Sequence, residues 1–176
     1  MPVAFLFAAR AGARQPTGAL FDVVLLLHVA CVVVGVGTLG VSAVQGWRLW
    51  SAAGSSAPLP ETLVRYYGPA ANWAGRTLYG VPVFGLALVG LSRGTFGLGL
   101  PWIDAGLGIW AVGTVAAETV LWPAERRIGD RLGRGDGAPG AGRRAAHLDD
   151  VRLVGPVGTA LVGLFVAAVV LMVAQP

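Results

Sequence analysis

Lysine is absent from this 176-residue chain, cysteine occurs once, and only 12% of the residues are charged. The lone Cys31 excludes an internal disulfide and any cysteine cluster for zinc or an iron–sulfur centre. So little charge excludes an ordinary soluble four-helix bundle, whose helices each carry a polar face. That all thirteen basic residues are arginine reads as the codon bias of a GC-rich bacterial genome rather than as chemistry. Also missing are a nucleophile beside a positioned base, a complete metal-ligand set and a phosphate loop. The run Gly35-x-Gly37-x-x-Gly40 matches a dinucleotide fingerprint in letters only, because it lies inside an apolar stretch with no strand ahead of it.

What the chain has in abundance is apolar surface: 55% hydrophobic residues, 27 glycines and a mean hydropathy of +0.69. A rise of about 1.5 Å per residue against a hydrocarbon core of about 30 Å asks for ~20 apolar residues per crossing. Four stretches answer that requirement, at about 20–46, 75–92, 102–122 and 152–174. The second is short, but Arg76 and Arg93 at its ends can run their stems along the helix and place their guanidinium groups among the headgroups. The expected fold is therefore all-α: a polytopic membrane protein with four transmembrane helices in an antiparallel up-and-down bundle. Residues 20–176 form one membrane domain behind a leader at 1–19, which is a poor signal peptide because no positive charge precedes its apolar run.

Orientation follows from the arginines. Arg10, Arg14 and Arg93 fall on one side, and the other ten, from Arg48 to Arg152, fall on the other. The positive-inside rule makes the loops at 47–74 and 123–151 cytoplasmic and puts both termini outside a bacterial cytoplasmic membrane. In the first loop, 51–60 reads as a flexible connector, and Pro60-Glu61 opens a short helix bearing Leu63, Val64, Tyr66 and Tyr67. In the second, six arginines against five carboxylates over 124–150 leave only +1, which fits a solvated loop, with 125–132 continuing the third helix. The net charge of +4 is thus explained by topology, and nucleic acid is not an expected partner. Trp47, Trp50, Trp73, Trp102 and Trp122 flank the spans as an aromatic belt.

Inside the spans the informative residues are polar. His28, Cys31, Gly35, Thr38, Ser42 and Gln45 follow alternating spacings of three and four, which is one face of one helix. Asp104, Gly108, Ala111, Thr114 and Glu118 form a similar stripe on the third span. Lipid gives a polar face no partner, so both stripes are expected to point into the bundle and to meet or line a common interior. Glu118 is expected to pair with Arg76 at the cytoplasmic end, and Asp104 with Arg93 outside. Pro82 and Pro156 are expected to adjust packing.

His28 is the only histidine in a span, roughly 12 Å from the outer end of its helix by helical rise, and an intramembrane imidazole is a functional candidate. A neutral ring bonded across helices is one reading. A ligand for haem b or copper, with Cys31 one turn away as a soft companion, is another, and proton or quinone handling a third. Met172 lies at a different depth and is not expected to complete a His/Met pair.

Taken together, "LLLHVACVVVGVGTLG", "RTLYGVPVFGLALVG" and "IWAVGTVAAETVLWPAERRIGDRL" resemble the bacterial integral membrane proteins of unknown function grouped as DUF2269, over most of residues 20–173. More remotely, the histidine early in the first helix is similar to that of the CopD-type copper-resistance and HemJ-type membrane families. HemJ-like haem chemistry implies a membrane lysine, which this chain lacks, and the CopD-like likeness carries over His28, with Cys31 as companion. The expected role is a membrane accessory or interaction protein without catalysis or cofactor of its own, joined to a second copy or a larger membrane complex. A small haem-, copper- or quinone-handling protein built on His28 is the alternative.

Overall fold

The computed structural model describes residues 18–53, 59–68, 73–133 and 141–174, with side chains left out at 133 and 141–148. The leader through residue 17, the middle of the 51–60 connector and residues 134–140 of the second long loop lie outside the described residues. Among the described residues every regular element is helical. Four helices are long and apolar enough to cross a membrane: Ala19–Ala53, Trp73–Leu91, Pro101–Leu132 and Asp149–Ala174.

The first of these is α1, Ala19–Ala53, an unbroken helix of 35 residues that continues beyond the expected end near residue 46. The short helix α2, Glu61–Tyr66, starts directly after Pro60, where the missing N–H of proline costs nothing. The second apolar helix changes pitch: Trp73–Tyr79 is 3₁₀ and Gly80–Leu91 is α3. Pro82 has no N–H, so the Leu78 carbonyl loses its α-helical donor. The Trp110 indole N–H takes that place at 2.8 Å, tying the second helix to the third.

A tight turn follows α3. Arg93 and Gly94 reverse the chain at φ 52° and 87°, and the buried Ser92 hydroxyl donates to the Val89 carbonyl and accepts the Phe96 N–H at 3.0 Å. Helix α4, Pro101–Ala116, begins with proline at its first turn. It runs into a π-helical segment, Ala117–Leu121, and then into α5, Trp122–Gly133. Pro123 explains the interruption, since it cannot donate to the Thr119 carbonyl. The Trp122 N–H instead reaches back five residues to Ala117. The last helix, α6, Ala141–Ala174, starts well before the expected 152. The second long loop is therefore helical at both ends among the described residues: 125–132 continues the third helix as expected, and the part from 141 on belongs to α6.

Small residues set the packing. Helix α1 lies along α6, where a Cβ on Gly46 would stand 2.5 Å from the backbone nitrogen of Gly155, and one on Gly158 3.0 Å from the Ala43 backbone. Helix α4 also packs on α6, with Phe165 and Met172 seated against Gly113 and Gly106. Helix α1 thus packs mainly on α6, the 3₁₀ helix and α3, with a smaller contact to α2, while α4 packs on α6 and the π segment. The two polar stripes do not meet. Only the outer half of the third helix's polar stripe faces out: Asp104, Gly108 and Ala111 are exposed, whereas Thr114 is buried along with Ile103, Gly106, Gly113 and Ala117, and Glu118 is half-buried. Trp122 is also a correction. It is 6% exposed and belongs to the core rather than to an interfacial belt, while Trp73 is 71% exposed.

Candidate functional site

The richest polar constellation lies where α1, α2 and α5 converge. Ser42 on α1 is fully buried, and its hydroxyl lies 2.8 Å from the Tyr66 phenol. That phenol donates its single proton to Glu125 Oε1 at 3.3 Å, so Ser42 is the donor toward Tyr66 and the chain of bonds runs serine to tyrosine to carboxylate. Tyr67 stands edge-on to Tyr66, with ring centroids 4.9 Å apart. Burial first, and the negative charge of Glu125 second, hold both phenols well above their ordinary pKa, so both stay neutral.

A second polar group fastens α5 to the start of α6. Asp150 accepts Arg127 Nε and Nη2 on one oxygen at 3.0 and 2.8 Å and Arg131 on the other at 3.2 Å. The carboxylate is nearly buried while Arg127 is about half exposed, so the arrangement satisfies the acid more than it neutralises the arginines.

His28 sits between α1 and α3. Its Nδ1 lies 2.9 Å from the Val81 carbonyl, which can only accept, so Nδ1 carries the proton and Nε2 of the neutral ring is left as an acceptor or ligand atom. Gly85 packs on the ring edge, and Gly80 packs on the Cys31 sulfur. No group of three or more His, Cys, Asp or Glu side chains that could hold a metal occurs among the described residues. A small apolar cavity of about 30 Å³, which His28 does not line, lies among Val32, Leu78, Val81, Trp110 and Phe165. A wider open groove of about 580 Å³ runs between the end of α1 and α2, past Trp47, Arg48, Ser51 and Thr62.

The other expected site residues have local partners. Thr38 donates to the Val34 carbonyl of its own helix at 2.7 Å. Glu118 accepts the Tyr79 phenol rather than pairing with Arg76, and the Arg76 guanidinium lies over the Trp73 ring, 5.1 Å from its centroid. Asp104 accepts the Gly99 N–H at 3.2 Å and so ties the turn to the first turn of α4. Arg93 is spent on the turn's backbone geometry and forms no ion pair with Asp104 among the described residues.

Sequence reasoning missed Tyr66, Tyr67, Trp122 and Glu125 as one site. A usable signal existed: Leu121, Ala124, Ile128 and Leu132 repeat at helical spacing, and Glu125 adjoins that apolar face where a purely solvated acid would not. No family model, curated protein or solved structure matches the chain.

Proposed function

We propose that the chain is a multi-pass protein of a bacterial cytoplasmic membrane, an antiparallel up-and-down bundle with both termini outside. It acts, without catalysis of its own, as an accessory that associates through its third helix with a second copy or a larger membrane complex. The carrying observation is the outward placement of Asp104, Gly108 and Ala111, where nothing among the described residues comes within 4 Å of the position a Gly108 Cβ would take. A face that is small and polar gains nothing from lipid, and it lets another helix approach closely. The internal use of the first helix's polar groups, His28 on Val81 and Ser42 on Tyr66, supports the same reading by leaving them structural work. The ten-to-three arginine bias supports the orientation. The resemblance to the DUF2269 group supports a membrane protein and adds no activity. A haem, copper or quinone role at His28 would have to use Nε2 and recruit further ligands from another chain.

Single cysteines in a Cys31→Ser background test this. Gly108→Cys should form an oxidative cross-link between copies, or with a membrane partner, in native membranes, while Val33→Cys on the exposed side of α1 should not. In intact cells Thr95→Cys should react with an impermeant thiol reagent and Thr62→Cys should be shielded. Equal cross-linking at 33 and 108 would sink the association, and labelling at 62 would reverse the topology.

A further inference from the structure

Four buried polar atoms have no hydrogen-bond partner among the described residues: Thr114 Oγ1 on α4, and, on the segments that carry the Ser42–Tyr66–Glu125 network, Gln45 Oε1, the Tyr67 hydroxyl and Trp122 Nε1. The placement of the last three is not scattered. Gln45 is one turn after Ser42 on α1, Tyr67 follows Tyr66, and Trp122 is one turn before Glu125. Tyr67 and Trp122 are 3% and 6% exposed and belong to the same packed core. A buried polar group without a partner keeps its full desolvation penalty, and three on the segments of one network point to a ligand rather than to three separate defects.

The chemistry of the set selects that ligand. Trp122 Nε1 only donates, Gln45 Oε1 only accepts, and a phenol does both. A bare cation is repelled by the indole N–H, and an anion by Glu125, a carboxylate with no ion-pair partner among the described residues. Only a small molecule that both donates and accepts suits all of them. We infer that Gln45, Tyr67, Trp122 and Glu125 form an internal water-binding site between α1, α2 and α5, in which one or more ordered waters complete the Ser42–Tyr66–Glu125 network. Two to four polar partners is what such a water needs. The site would brace α2 beside its apolar anchor Leu63, since Tyr66 and Tyr67 carry the polar contacts at the end of that helix.

X-ray radiolytic footprinting of the intact detergent-purified chain reads bound water directly, because hydroxyl radicals form at the ordered molecule. Normalised to the denatured protein, Tyr67 and Trp122 should be modified several-fold faster than the equally buried Phe165, which lies against an apolar cavity. In parallel, Tyr67→Phe should lower the melting temperature by about 2–4 °C, as expected for one lost hydrogen bond in a chain this size. A hydroxyl that is simply unpaired predicts the reverse, a neutral or raised melting temperature. Modification of Tyr67 and Trp122 no faster than Phe165, or a Tyr67→Phe protein as stable as the parent, would overturn the assignment. So would a melting temperature raised by sodium over choline and lost in Glu125→Gln, which would assign a cation instead.

Discussion

The first and third helices carry nearly the same pattern, small and polar residues recurring every three or four positions, and the molecule puts them to opposite uses. On α1 the stripe points inward. His28 holds the Val81 carbonyl, Gly35 lies against Leu78 and Ser42 is sealed under Tyr66. On α4 the stripe divides: Asp104, Gly108 and Ala111 face out while Thr114 is buried, and a second face at equal spacing, Ile103, Gly106, Trp110 and Gly113, receives the side chains of α6. Periodicity identifies a face but not its partner. What decides is whether a neighbouring helix supplies a knob for each small residue: Phe165 and Met172 fit the holes at Gly113 and Gly106, and no side chain among the described residues fits the one at Gly108.

The sharpest way to break this contrast is to add bulk on both sides of it. Gly46→Leu, at the closest approach of α1 to α6, should cost at least about 3 kcal/mol or abolish folding, since a backbone nitrogen and not a flexible side chain occupies the space. Gly108→Leu should leave the melting temperature of the purified monomer within a degree or two while weakening association in membranes. Comparable thermal losses at the two positions would mean that both faces are internal. The inward stripe is tested next through its hydrogen bonds. Ser42→Ala should destabilise by about 1–2 kcal/mol, and in a double-mutant cycle with Tyr66→Phe the losses should fall well short of additive. Full additivity would show that the serine and the tyrosine do not interact. The smallest effect is expected at the other end of the outward stripe. Glu118→Gln with Tyr79→Phe should couple by about 0.6 kcal/mol, the usual size for a hydrogen bond between membrane helices. Glu118→Gln with Arg76→Gln should be additive, and coupling in that second cycle would restore the ion pair that the sequence suggests.

Much of the fold is legible from composition alone, because crossing a bilayer imposes a length that few other constraints imitate. The four apolar helices lie close to where the hydropathy puts them. What composition hides begins where the apolar runs end. Helix α1 continues to Ala53 through a segment whose apolar run is broken by Arg48 and Ser51, with Leu49 buried in the core, and α6 begins at Ala141, ahead of the apolar run. The 3₁₀ and π segments each lie beside a proline, Pro82 and Pro123, whose missing N–H predicts a disturbance but not its form. The candidate site was half legible. Ser42 stood out as a hydroxyl in an apolar run, but its partners Tyr66 and Glu125 come from segments whose aromatic and charged residues have ready explanations as interface anchors and loop charge. Proximity between such segments is a property of the fold, not of either string.

The π turn makes the third helix two units on one axis. One inserted residue rotates everything beyond it by about 100° relative to a continuous α-helix, so the phase of Trp122, Glu125 and Ile128 is set independently of Ile103 through Gly113. A change of chain length therefore has a reach that substitution lacks. Deleting one residue within Ala117–Leu121 would re-phase the lower unit as a whole, swinging Glu125 away from Tyr66 while leaving Phe165 and Met172 in their glycine holes. Variation by single-codon insertion and deletion at this point can retune one end of the protein and leave the other as it is.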